Sequence, residues 1–253
     1  MGRIHKHLKV KLPDPRLAVI DERLKRVKRV IVVASGKGGV GKSLVATTLS
    51  LILAKDGRKV GLMDLDFHGP SGHIVLGAKK VVPKEERGIV PPNVHGIKFM
   101  SPVYYIGEQP LPLRGTEVSD TFVELLAITK WGRLDYLVID VPPGIAEEVL
   151  DIVRLIKRGE FLIVATPSEL AVRTVAKLTK LLLELEVTIL GVVENMSLED
   201  AERVEEQAKE LGIDYLGPLP FDREVERSLG RPKKLLVTKF ARAFRKVVES
   251  KFS

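Results

Sequence analysis

The chain has 253 residues, 45% of them apolar, which is enough for one large α/β domain or two small ones. It contains no cysteine, which excludes disulfides, thiol catalysis and any thiolate-held metal or iron–sulfur cluster supplied by this chain alone. The net charge of +8 is concentrated at one end: residues 1–30 carry ten Lys and Arg against three acids, so +7 falls there and the remainder is nearly neutral. No apolar run approaches the roughly 20 residues that span a bilayer. The opening "MGRIHKHLKVK" lacks the apolar run of a secretory signal, and Lys6 stands where an N-myristoylation signal needs Ser or Thr. A cytoplasmic protein is the expectation.

Residues 1–28 read as a basic N-terminal arm and helix. Asp14-Pro15 forms an N-cap followed by a proline at the first helical position, opening a helix to about Lys28. Such an arm suits contact with nucleic acid, an anionic membrane or an acidic partner. The plainer reading, a solvated tail and helix face, is preferred because no aromatic residue interleaves the charges.

Residues 29–253 read as a single domain. Its first strand is "VIVVA" (30–34), followed at once by "GKGGVGKS", Gly36 to Ser43, which fits G-x-x-x-x-G-K-[ST] between a strand and a helix (43–55). In such a loop the glycines let backbone N–H groups curl round phosphate oxygens. Lys42 brings a positive charge to the β and γ oxygens, the Ser43 hydroxyl can ligate Mg²⁺, and the helix N-terminus adds its dipole. The loop therefore predicts binding of ATP with Mg²⁺. Lys37, a second lysine, is not needed to cradle the phosphates of its own subunit.

"KVGLMD" (59–64) is the next strand, and Asp64 and Asp66 follow at its C-terminal end, where open parallel sheets bind ligands. Two residues apart on extended chain, both carboxylates point the same way, suited to a metal-bound water and an attacking water. Loop capping is the plainer reading, stronger for Asp64 than for Asp66. Residues 77–115, rich in proline and glycine, read as an irregular excursion around a short strand near "IKFMS" (97–101). After a helix (117–130), "YLVIDV" (136–141) ends on Asp140, a carboxylate placed to organise Mg²⁺, with Pro142-Pro143-Gly144 as a stiff turn beside the γ-phosphate.

A helix (147–157), the strand "FLIVAT" (161–166) and a helix (169–186) lead to "ILGVV" (189–193), a strand that stops near Asn195, and to a charged helix (199–211). These runs are rich in Val and Ile and do not alternate with polar residues, as expected of strands covered on both faces. The alternation of strand and helix predicts a doubly wound, mainly parallel α/β sheet of the P-loop NTPase fold. The last segment puts Phe240, Phe244, Val247, Val248 and Lys251 on one helical face, read as the final core helix rather than a membrane-binding helix. His68 and His73 share one loop and are read as surface residues.

Together "VASGKGGVGKS", "DLDFHGPS", "GIVPPNVHGIKFMS", "LRG", "WGRLDYLVIDVPPG", "ATPSELAVRTV" and "LGVVENMS" resemble the Mrp/ApbC family of P-loop ATPases over about residues 28–220. "KGGVGKS" is similar to the deviant Walker A loop of the wider MinD/ParA group. The resemblance implies a homodimeric ATPase that handles iron–sulfur clusters with a client protein. It implies that Gly36, Lys37, Gly38, Gly39, Val40, Gly41, Lys42 and Ser43 bind phosphates, with Lys37 reaching the partner subunit's nucleotide. Asp66 would activate the hydrolytic water and Asp140 would organise the metal with Ser43 and Asp64. Asn195 would pair with adenine, beside which Pro218 and Pro220 would pack.

Two stretches depart from the pattern. Where family members that carry a cluster have C-x-x-C after "ENMS", this chain has Leu198-Glu199-Asp200-Ala201. Where the double proline is usually followed by Gly-Thr-Gly-Asp, this chain has Gly144-Ile145-Ala146-Glu147. The expected function is an ATP-driven switch in cluster assembly without a cysteine-bound cluster of its own. The alternative is a ParA/MinD-like positioning ATPase that binds DNA or membrane through its arm or last helix.

Overall fold

The computed structural model describes residues 14–78, 81–107, 116–145, 147–198 and 203–252. In chain order the elements are α1 (Pro15–Leu24), β1 (Val27–Ala34), α2 (Lys42–Lys55), β2 (Val60–Asp64), α3 (Gly72–Leu76), β3 (Lys84–Glu85), β4 (Ile89–Val90), β5 (Asn93–Val94), β6 (Ile97–Met100) and α4 (Val103–Ile106). There follow α5 (Thr116–Ile128), β7 (Leu134–Asp140), α6 (Glu147–Leu155), β8 (Gly159–Ala165), α7 (Glu169–Glu184), β9 (Thr188–Ser197), α8 (Arg203–Leu211), β10 (Tyr215–Pro220), α9 (Arg223–Ser228), α10 (Pro232–Leu235) and α11 (Lys239–Lys251).

Eight strands form one sheet in the order β10-β9-β8-β1-β7-β2-β6-β5. Every pairing in it is parallel except the hairpin of β5 with β6. Along β1, Val30, Val32 and Ala34 face one core while Ile31 and Val33 face the other. Two apolar faces are why the run does not alternate with polar residues. One core is covered by α1, α5, α6, α7 and α8, the other by α2 and α11. The doubly wound parallel fold read from the sequence is therefore the one observed.

Several boundaries differ. Helix α1 ends at Leu24 and β1 begins at Val27, so a division after residue 28 falls inside a strand. Asp14 caps α1 as expected, accepting from the Arg16 N–H, and the helix packs on α5, burying Ile20 and Leu24. Most of the basic arm, residues 1–13, lies outside the described residues, as do 199–202 after "ENMSL". Strand β9 does not stop at Asn195 but runs on to Ser197, with Asn195 and Ser197 paired to Leu219 and Pro220 of β10. His73 is buried rather than on the surface, whereas His68 is exposed. Phe240, Phe244, Val247 and Val248 of α11 are buried against the core under α2 and β10. The apolar face that a membrane-binding helix would need is thus occupied. No helix among the described residues is long and apolar enough to cross a membrane.

Candidate nucleotide site

Parallel topology brings the C-terminal ends of β1, β7, β2, β8, β9 and β10 to one edge of the sheet. A cavity of about 810 Å³ opens there, walled by residues 37–44, Asp66, Pro143, Asn195, Met196 and the segment from Pro220 to Arg223. Its size is that of a small-molecule site.

The phosphate loop follows β1 and feeds directly into α2, so its backbone and the helix N-terminus converge on the cavity. Two of its glycines are demanded by geometry. Gly41 has φ +83°, and a Cβ there would stand 2.2 Å from Asn195 Nδ2. Gly36 packs on α7, where a Cβ would come 2.6 Å from the Thr174 carbonyl carbon; Gly36 thus seats the loop on the fold and is not itself in the cavity wall, which Ser35 and Lys37 on either side of it line. Gly38 and Gly39 are exposed on the loop crest. Two hydrogen bonds fix the base of the loop: Ser35 Oγ donates to the Lys37 carbonyl at 3.0 Å, and the Gly144 N–H donates to the Ser35 carbonyl at 2.9 Å.

Lys42 is buried and its Nζ lies 2.5 Å from Asp140 Oδ1 and 4.0 Å from Asp66 Oδ2. Strand register places Asp64 directly beside Asp140. Both carboxyls are buried, and Asp64 accepts from the N–H groups of Asp66 and Gly72. Asp64 therefore performs the capping role, while Asp66 stands at the cavity wall with its Oδ1 taken by the Gly69 N–H. Burial, and next the charge of Asp140, push the Asp64 carboxyl up to about 8. Burial also pushes Asp140 up, against the pull of Lys42 and the Ser43 hydroxyl. Asp140 Oδ2 is buried without a hydrogen-bond partner among the described residues. A hydrated divalent cation beside Ser43 would satisfy that oxygen, so the residues present fit Mg²⁺ held with substrate phosphates and water. Among the described residues no three His, Cys, Asp or Glu side chains form an all-protein cation cage.

Lys37 is half-buried at the loop, with Nζ donating to Ser168 Oγ at 3.2 Å. Asn195 is buried and its Nδ2 donates to the Val40 carbonyl at 2.8 Å, which ties the end of β9 to the phosphate loop. Pro220 lines the cavity, while Pro218 is exposed and is not among its walls. The sequence reading missed Phe221, 56% exposed at the cavity mouth, and Arg223 beside it. It also missed Asp222, which caps α9 through Oδ1 and accepts from the Lys239 N–H of α11 through Oδ2 at 2.7 Å. The pattern D-R-E after a proline-rich strand end was the available signal for that cap.

Residues 26–251 match the NUBPL iron-transfer P-loop NTPase family of the ParA group. An iron–sulfur cluster carrier protein of Methanocaldococcus jannaschii is 37% identical over 251 residues, covering 92% of this chain and 87% of that protein. One of Pyrococcus abyssi is 36% identical, covering 93% and 90%. Among solved structures, a nucleotide-binding protein of Archaeoglobus fulgidus in complex with ADP superposes with a TM-score of 0.75 at 31% identity, covering 87% of this chain and 92% of that one. The septum site-determining protein MinD of Pyrococcus horikoshii, complexed with Mg-ADP, shares the fold with a TM-score of 0.66 at 24% identity. By its loop, its strand-end carboxylates and these likenesses, the chain belongs to the NUBPL iron-transfer family of P-loop ATPases.

Proposed function

We propose that this ATPase works as a dimeric, Mg²⁺-dependent switch in iron–sulfur cluster assembly that holds no cysteine-bound cluster of its own. The observation that carries the reading is Lys42 Nζ at the floor of a glycine-loop cavity, between Asp140 and Asp66. A triphosphate in that cavity meets the loop N–H groups, the α2 N-terminus and the Lys42 ammonium. Mg²⁺, when bound, neutralises charge on the β and γ oxygens. Ser43 would ligate it, and Asp140 and Asp64 would orient its waters from behind. Asp66, at the cavity wall, orients the attacking water and takes its proton.

Asn195 keeps its proposed place at the base. With Nδ2 engaged by Val40, its Oδ1 remains to accept from the adenine amino group, with Pro220 beside the ring; Pro218, exposed on β10, would pack more remotely. Lys37, at the loop crest, is placed to meet the nucleotide of a second copy. The cluster is cargo in this scheme. The names of the relatives support that part of the reading, and the absence of cysteine from the chain means that sulfur ligands would come from a client.

Light scattering on the Asp66→Ala variant with Mg-ATP tests the switch: a persistent dimer with ATP and a monomer without is expected. A monomer under both conditions contradicts the dimeric part. Anaerobic reconstitution with iron and sulfide tests the cluster part. No charge-transfer absorbance is expected from this chain alone, and a stable cluster contradicts it.

A further inference from the structure

The nucleotide site lies at the C-terminal edge of the sheet. The opposite edge carries its own concentration of charge. Arg26, Lys59 and Arg133 each stand one residue before a strand, β1, β2 and β7 respectively, and all three are exposed. These strands are neighbours in the sheet, in the order β1-β7-β2. Register sets Arg26 opposite Arg133, about 4.8 Å away across the sheet, whereas Lys59 falls opposite Asp135, two residues farther along β7, so the three cations form a staggered cluster at the strand starts. Behind them a cavity of about 670 Å³ contains Arg23, Lys98 and Lys130, and a second of about 480 Å³ contains Lys59 and Arg133; Arg26 stands between the two and lines both.

None of these six cations forms an ion pair with a carboxylate among the described residues. Of the three acids in the cavity walls, Glu22 is paired with Lys25 and Asp135 with Lys28 and the Lys59 N–H, which leaves Glu86 as one carboxylate against six cations. A structural role accounts for half the set. Arg23 Nε and Lys98 Nζ donate to the carbonyls of Ala127 and Trp131, at and just beyond the C-terminal end of α5, where cations belong, and Lys130 Nζ donates to the Glu86 carbonyl in the turn between β3 and β4. Each retains further N–H donors. Among the described residues no hydrogen bond or ion pair engages the side chains of Arg26, Lys59 and Arg133, though Lys59 stands within the field of the Asp135 carboxylate. Burial, together with the nearby Arg26, holds the Arg23 guanidinium below its ordinary pKa, as expected where cations gather without a counterion.

We propose that this strand-start face is a docking groove for an acidic, extended segment of a protein partner, engaged by Arg26, Lys59 and Arg133 at its open rim and by Arg23, Lys98 and Lys130 in its deeper part. Charge complementarity sets the sign of the ligand. Concavity sets its form, because cavities of this size admit side chains of a single extended chain, whereas a rigid nucleic-acid duplex would reach only the rim. Val19 and Val90 in the same wall give an apolar side chain of that segment a place to rest. Carboxylates at alternate positions of an extended peptide are about 6.7 Å apart, within reach of cations on successive strands. Eight residues of β1 separate this face from the phosphate loop, about 26 Å, so a partner held here stays clear of the nucleotide.

The test is fluorescence anisotropy of the full chain with fluorescein-labelled decaglutamate in low salt, with a labelled DNA duplex and inorganic phosphate as competitors. Arg26→Glu/Arg133→Glu is compared with Lys177→Glu/Lys180→Glu on the exposed face of α7, which changes net charge equally. The groove variant should bind decaglutamate at least tenfold more weakly, with the α7 variant within twofold of the parent. Equal losses in both variants, no binding by the parent, or displacement by duplex at lower concentration than by unlabelled decaglutamate would each overturn the proposal. Arg26→Gln/Arg133→Gln serves if the reversal variant fails to fold, judged by circular dichroism, and carries the same expectation of weakened binding.

Discussion

Asn195 Nδ2 donates to the Val40 carbonyl at 2.8 Å, and Gly41, the next residue of the loop, has φ +83° with no room for a Cβ beneath that amide. The end of β9 and the phosphate loop are thus built as one unit. Asn195→Ala leaves the Val40 carbonyl without this donor and frees the loop. Loss of about 1–2 kcal/mol of stability is expected, together with ATP affinity at least fivefold weaker by isothermal titration. Gly41→Ala should do worse, since it meets both an unfavourable φ and the Asn195 amide. Unchanged affinity in both variants would mean that this contact does not hold the loop.

Asp64 makes the apo protein sensitive to pH. Its carboxyl is pushed up to about 8, by burial first and by Asp140 next, from 3.8 in the unfolded chain. Between these values the folded state binds more protons than the unfolded state, so stability falls as pH rises from about 4 and levels off above about 8. Asp64→Asn should flatten that dependence. In urea titrations at pH 5 and pH 8.5, the parent is expected to lose more than about 1 kcal/mol relative to the variant. Parallel curves would remove Asp64 from the account.

Asp66 and Asp140 separate by role. Asp66→Ala leaves the Lys42–Asp140 pair in place, so nucleotide binding should persist while hydrolysis falls by about two orders of magnitude or more. Asp140→Ala leaves the Lys42 ammonium buried without its 2.5 Å partner, and should reduce both stability and the Mg²⁺ dependence of ATP binding. Steady-state phosphate release and Mg²⁺ titration of ATP binding check the pair; equal effects on hydrolysis and binding from both variants would contradict the division.

Tyr215 donates to Glu194 Oε2 at 3.3 Å, and the other Glu194 oxygen is buried without a hydrogen-bond partner among the described residues. Burial first, then the Glu194 charge, push the Tyr215 hydroxyl up. Tyr215→Phe removes a donor from a buried acid and should cost about 1–3 kcal/mol. A thermal midpoint equal to the parent's would show that the hydroxyl contributes nothing.

The fold was legible because its signals are local. Uninterrupted Val and Ile runs in β1, β7 and β8 report burial on both faces, and the glycine loop announces itself between strand and helix. What escaped the sequence depends on distant partners. Asn195 sits 155 positions from Val40, and nothing in "ENMS" says that its amide meets a loop carbonyl. The strand continued past Asn195 because β10, itself broken by Gly217 and two prolines, pairs with it through a register shift. His73 looked like a loop residue because a five-residue helix, α3, carries no periodicity to read. The cluster of Arg26, Arg133 and Lys59 was invisible for the same reason: strand order, not chain order, makes them neighbours.

The placement of Lys42 is tested most directly by calorimetric titration of Mg-ATP into the Lys42→Ala variant. The variant retains its fold by circular dichroism and binds ATP at least a hundredfold more weakly than the parent, if the ammonium at the floor of this cavity meets the phosphates. Affinity equal to the parent's in a folded variant would contradict the assignment of the site.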